Sequence, residues 1–118
     1  MGLAVRTSGG LTTAISQDLD NTAGGFAVKA AAGLLYGVTF CNSTGSTVFV
    51  KIADATVTIG TTTPKMIWAI PAFTTFTRAY PQGITFATRI QAWAVTTVVD
   101  SGSTDPGTNA LVATFDYN

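Results

Sequence analysis

Side-chain alternation with a period of two runs through most of this chain, and no other feature restricts its fold as much. The stretch Gly33–Asp54 shows it best. Leu35, Gly37, Thr39 and Cys41 fall on one side of an extended backbone, and Tyr36, Val38 and Phe40 on the other. After the polar break Asn42-Ser43-Thr44-Gly45-Ser46, Val48, Val50 and Ile52 make one face and Phe49 and Lys51 the other. β-Branched and aromatic residues suit a pleated, half-buried surface. With turn-forming residues between the two runs, the pattern predicts a β-hairpin.

The same pattern recurs along the chain. Phe26–Ala30, Lys65–Ile70, Phe73–Tyr80, Ile84–Ile90, Ala92–Val99 and Ala110–Tyr117 each read as short strands. Thr61–Pro64 and Pro71 interrupt them, Pro81-Gln82-Gly83 reads as a turn, and Asp100–Asn109 as a surface loop. Within Phe73–Tyr80, Phe73, Thr75 and Thr77 face opposite to Thr74, Phe76 and Arg78. Long amphipathic helical patterns are missing. Seven or eight short strands in 118 residues predict one all-β domain, an antiparallel β-sandwich of jelly-roll-like type. The 22 threonines agree, since branching at Cβ is easily housed on a sheet. Met1–Ala23 lacks a sustained period. It reads as an extended N-terminal arm, with a short strand or helical turn near Ile15–Leu19, preceding a sandwich domain over 24–118. Its isolated apolar residues (Leu3, Val5, Leu11, Ile15, Leu19) suit lying along a neighbouring subunit.

Only 10% of residues are charged, against about a quarter in ordinary soluble domains. Such a surface suits an obligate assembly, whose interfaces resemble a divided core. Six basic residues, Arg6, Lys29, Lys51, Lys65, Arg78 and Arg89, are scattered singly and balanced by six aspartates. Without a basic stripe, nucleic acid is not an expected partner. Apolar runs are too short to predict a membrane span, and Met1–Gly10 lacks the apolar run of a signal peptide.

Chemistry finds little to work with. There is no histidine and no glutamate, and Cys41 is the sole cysteine. Cys41 lies within a strand pattern and is expected to be a buried, inert thiol. Asp18, Asp20, Asp54, Asp100, Asp105 and Asp116 read as turn and loop carboxylates rather than a converging acid/base pair. Asp18-x-Asp20-Asn21 has oxygen ligands but lacks the glycine and distal glutamate of a calcium loop. No catalytic, cofactor-binding or metal residue is named, and neither an enzyme nor a small-molecule substrate is expected. Trp68 and Trp93 sit in alternating apolar strands and are expected in a core or subunit interface. With Tyr36, Tyr80 and Tyr117 they are also the residues from which a sugar-binding platform could be made. Arg78 and Arg89 are candidates to pair with Asp54 or with a neighbouring subunit's acid.

In order and spacing, LLYGVTFCNSTGSTVFVKIAD, PQGITFATRI, AVTTVVDSGSTDPG and the final short strand resemble small β-sandwich proteins of tailed bacteriophage virions. Those proteins reuse a strand, N-x-x-G/A and a V-x-(L/I)-x-D strand, here Val38–Asp54. They also reuse G-(L/I)-x-F-x-T, here Gly83–Thr88, followed by (I/A)-x-V-T-T, of which Ala94–Thr97 shares the V-T-T. The resemblance spans residues 33–117. It implies a non-enzymatic capsid decoration, or cement, protein on the virion's capsid surface. Such a protein is typically a homotrimer seated where hexamers of the major capsid protein meet. The same kind of sandwich also occurs as a receptor- or glycan-binding module of head and tail fibres, and as a tail or connector component.

Overall fold

The computed structural model describes residues 11–118. Eight strands occur among them: β1 (Thr12–Ser16), β2 (Phe26–Lys29), β3 (Gly33–Asn42), β4 (Val48–Ala53), β5 (Met66–Ile70), β6 (Thr75–Phe86), β7 (Ile90–Val95) and β8 (Leu111–Tyr117). They form two four-stranded antiparallel sheets, in the orders β1-β8-β3-β6 and β2-β7-β4-β5. An all-β, two-sheet architecture of short strands is thus established.

Between the sheets lies the main core. The first sheet contributes Leu35, Val38, Phe40, Phe86, Leu111, Ala113 and Phe115, and the second Val48, Val50, Ile52, Trp68, Ile70, Ile90, Ala92 and Ala94. Phe40 is its aromatic centre. Its ring lies 5.3 Å from Trp68, 5.7 Å edge-on from Phe115 and 6.3 Å from Phe76, centroid to centroid, within the range where aromatic pairs attract. The second sheet also buries its other face. There Ala53, Val57, Trp93 and Val95 form a smaller cluster with Phe49 and Ile59. Residues from the connections after β4 therefore cover that face. In consequence all six residues of β7 are buried, and the strand has no solvent side.

Several expectations need correcting. The hairpin expected over Gly33–Asp54 is not formed. Both strands exist, but β3 pairs with β6 and β8 while β4 pairs with β5 and β7. The polar link crosses from one sheet to the other. Period-two patterning says which residues share a face, not which strand lies alongside.

The alternation along β3 is also broken. Register shifts between Leu35 and Gly37 against both neighbours, so Tyr36 is a bulge residue. A bulge inserts one residue and reverses the facing of everything beyond it. Leu35 and Val38 both enter the core, and Cys41 is carried to the outside, exposed beside the Thr75 hydroxyl at 3.5 Å. The expected burial of Cys41 fails for this reason.

Opposite Tyr36, the edge strand β6 holds the four residues Tyr80–Gly83 between Ala79 and Ile84, the partners of Gly37 and Leu35. The expected Pro81–Gly83 turn is instead an irregularity within one 12-residue strand. An edge strand tolerates proline because its outer N–H groups have no ladder partner. Gly83 has φ +76°, and a Cβ there would lie 3.1 Å from the Tyr36 ring. The expected strand Ile84–Ile90 is divided between β6 and β7, hence between sheets.

The extended arm expected over residues 1–23 lies partly outside the described residues. Within them, Thr12–Ser16 is β1, paired along its length with β8 from Thr12↔Tyr117 to Ser16↔Ala113. Leu19 is 1% exposed in the main core. Residues 12–19 thus belong to the sandwich expected to begin at residue 24.

Candidate functional surface

Four connections meet at one end of the sandwich. Asn42, 2% exposed, ties two of them. Its amide nitrogen donates to the carbonyls of Ser46 (2.9 Å), Ile70 (3.0 Å) and Pro71 (3.1 Å). Its amide oxygen accepts from the Thr44 backbone N–H (2.9 Å) and hydroxyl (2.8 Å). Backbone bonds carry the tie further: Asn42 N–H to Thr74, Phe73 N–H to Thr44 and Ser43 N–H to Ala110. The Asn109 N–H donates to the Asp18 carboxylate at 2.8 Å, the Leu19 N–H to Leu111, and the Asn21 amide to the Ser103 carbonyl. This end is held by polar bonds from one edge to the other.

It is also where apolar side chains reach solvent. Phe73, on the β5–β6 link, is 76% exposed, and Val98 and Val99, on the β7–β8 link, are 50% and 58% exposed. Phe73 has φ +53°, a region in which a bulky L-residue is strained. Sequence reading placed Phe73 at the head of a strand and assigned it no role. The signal was present: it shares the parity of Thr75 and Thr77 and opposes that of Phe76, the one that packs inward.

At the opposite end, Asp54 holds the β6–β7 turn. Its carboxylate accepts the N–H groups of Ala87 (2.6 Å), Thr88 (2.8 Å) and Arg89 (3.1 Å) and the Thr88 hydroxyl (2.8 Å). Bonds from Ala87 and Thr88 hold its pKa well below the usual carboxylate range. Hydrogen bonds to a charged form stabilise that form. The depressed folded-state pKa means that this stabilisation is present above the unfolded carboxylate's pKa of about 3.9. It is lost as pH falls through the lower, folded value. Asp54→Asn keeps one acceptor oxygen and removes the charge. Its denaturation midpoint is expected to fall below wild type at pH 7 and to converge on it in strong acid. Equal acid sensitivity in urea melts from pH 7 down to pH 2 would contradict this.

The expected pairing of an arginine guanidinium with Asp54 is not what is seen. Arg89 reaches Asp54 through its backbone N–H and directs its Nε to Gln91 Oε1 at 3.1 Å. Arg78 is exposed on the β6 edge. Three further carboxylates also serve the fold. Asp20 accepts from the Thr22 N–H, Asp105 from the Gly107 N–H and Asp116 from the Thr13 hydroxyl. Among the described residues no three acids or cysteines gather as metal ligands would, and no helix is long and apolar enough to cross a membrane. Trp68 and Trp93 are 6% and 1% exposed, and the Trp68 indole N–H donates to the Tyr80 hydroxyl at 2.8 Å. Neither indole is free to stack on a sugar.

Lys51 is an exception to the rule that lone charges stay in water. It is 0% exposed, on the covered face of the second sheet, and donates from Nζ to the Val99 carbonyl at 2.6 Å. Desolvation lowers its pKa, and the Asp100 charge opposes that effect. A lysine whose folded pKa is depressed destabilises the fold at neutral pH. The penalty fades as pH rises through the folded pKa toward the unfolded value, since the unfolded chain then binds more protons. Lys51→Met, which keeps the volume and removes the buried charge, is expected to match or exceed wild-type Tm at pH 7. Its Tm should also lack the wild type's alkaline gain. A lower Tm at pH 7 would show that the bond to Val99 outweighs desolvation.

No family model matches the chain, and no curated protein or solved structure matches it either.

Proposed function

We propose that this chain is a jelly-roll structural protein of a virion. In this proposal it is a decoration, or cement, protein that binds the outer surface of a phage head at the seams between capsomers, as a homotrimer. Its partners are the major capsid protein and further copies of itself. One observation carries this most: the order β1-β8-β3-β6 facing β2-β7-β4-β5 supports reading the fold as an eight-stranded jelly roll, an architecture recurrent in viral shell domains. The resemblance over residues 33–117 points the same way. So does the use of Asp18, Asp20, Asp54, Asp105 and Asp116 in holding loops and strands together.

The physics of cementing suits such a molecule. A shell under internal pressure is weakest at its seams. A rigid sandwich bridging a seam adds buried area to the assembled state only, and so stabilises it by mass action. Three linked copies repeat each weak contact at high effective concentration. Low charge leaves little long-range repulsion against dense packing.

Jelly rolls also occur in lectins, and the exposed Phe73 ring favours a second reading as a glycan-binding fibre module. Both are tested by adding the purified protein to heads that lack it and locating it by electron cryomicroscopy. Density over the shell at three-fold positions supports cement; density at fibre tips or tail rejects it. Removing residues 1–10 leaves β1 in place and tests whether that part of the arm strengthens attachment.

A further inference from the structure

Phe73 exposes an aromatic ring and adopts a backbone conformation disfavoured for its type. Both features are unfavourable in the isolated molecule. The ring lies over Gly45, where an added Cβ would stand 3.7 Å from it, and it keeps most of its surface in solvent. Yet the link that carries it is firmly held by the bonds from Asn42 and Thr44. The backbone from which the ring projects is thereby fixed.

A receptacle lies on the same molecule. An open cleft of about 330 Å³ is lined by Ser16, Asp18, Leu19, Asp20, Thr22, Gly25 and Phe26. A cavity of roughly 150 Å³ already holds a benzene ring, so the cleft has room for a phenyl group. Phe26 is half-buried and stacks on Phe115 at 6.1 Å, offering an aromatic wall. Asp18 and Asp20 suit the electropositive edge of an entering ring. Gly25 has φ +90°, and a Cβ there would collide with the Ala92 carbonyl, so the cleft's wall is built on a residue that only glycine can supply.

Their placement decides the kind of contact. The cleft opens between β1 and β2, which are edge strands of the two sheets, and Phe73 joins β5 to β6, the opposite edges. Both sit at the end where the run of bonds 73–44, 43–110 and 109–18 crosses the sandwich. The edges also differ in charge: exposed Arg78 lies on the Phe73 edge, while two aspartates line the cleft. Lys29, at the far end of β2, lies by Gly33 and away from it.

We infer that Phe73 of one copy enters the Leu19–Phe26 cleft of the next. A contact between two different patches is heterologous, and it closes into a ring when the rotation permits. The partner of this surface is therefore a second copy of the chain. The inference rests on the trimer in the function proposed above and supplies its contact.

Three proteins test it by native mass spectrometry and sedimentation: wild type, Phe73→Ala, and Thr22→Trp, which places a large side chain at the cleft from an exposed position. Thermal melts first establish that each is folded; Phe73→Asn, which suits positive φ, serves if the alanine variant is not. Wild type is expected as three-copy rings. Each variant alone should dissociate about 30-fold or more readily, as loss of a buried aromatic anchor implies. Mixing the two should yield a one-to-one pair, because an intact Phe73 meets an intact cleft once. A monomeric wild type, rings that survive Phe73→Ala, or a mixture without pairs would each overturn the inference. Rings that survive Phe73→Ala while binding to heads is lost would assign Phe73 to the shell instead. Wild type that forms rings but never binds heads leaves this contact standing and removes the cement function.

Discussion

Phe40→Ala is expected to lower stability by about 4 kcal/mol, which for a domain of this size is a fall in Tm of about 15 °C. Phe40 is 0% exposed and sits between the sheets, where Trp68, Phe76 and Phe115 surround it. Truncation forfeits the transfer energy of the ring and leaves a cavity. That cavity cannot easily collapse, since the surrounding rings belong to strands β5, β6 and β8, each fixed by its own ladder. Phe40→Leu fills part of the space and should cost roughly half as much. Urea melts should show a lower midpoint at an unchanged slope. A loss below about 1.5 kcal/mol for the alanine variant would mean that the sheets close over the gap.

Asn42→Ala should cost about 3 kcal/mol, or about 10 °C in Tm. The amide donates to three carbonyls and accepts two bonds from Thr44. Removing it strands the Ile70 carbonyl in particular, because that bond is buried. Buried groups left without partners cost more than a bond is worth on average. Asn42→Asp is the sharper test. It keeps the bonds from Thr44 but turns a carboxylate toward three carbonyl oxygens, and should be worse than alanine. Hydrogen exchange should quicken at the N–H groups of Phe73 and of residue 42 itself, which donate to the Thr44 and Thr74 carbonyls across the same junction. If aspartate and alanine behave alike, the three carbonyls are not what the side chain serves.

These two residues mark what can be read from sequence alone. Phe40 could be anticipated: an aromatic within a period-two run is a core candidate, and most strands were legible on the same ground. Val48, Val50 and Ile52 share the inner face as alternation demands. Asn42 was legible only as a turn residue. Its bonds to Ile70 and Pro71 span 28 and 29 residues, and no local pattern encodes them. Cys41 is exposed where burial is expected, because one extra residue at Tyr36 reverses the facing beyond Leu35 without changing composition. Alternation places Lys51 only on the face opposite Val48, Val50 and Ile52. Its burial depends on coverage of a second face by links that carry no period. Phe73 was readable in parity, but its exposure became significant only beside its backbone angle.

The pairing of β1 with β8 has a kinetic consequence. Thr12 meets Tyr117, so the first described strand has no ladder partner until the last one has been synthesised. Contacts between such remote segments demand early loss of chain entropy, and β-sandwiches fold on roughly millisecond-to-second timescales for that reason. During translation the Thr12–Ser16 segment should remain protease-sensitive until residues 111–117 leave the ribosome, and the first sheet should gain both β8 and β1 in one late step.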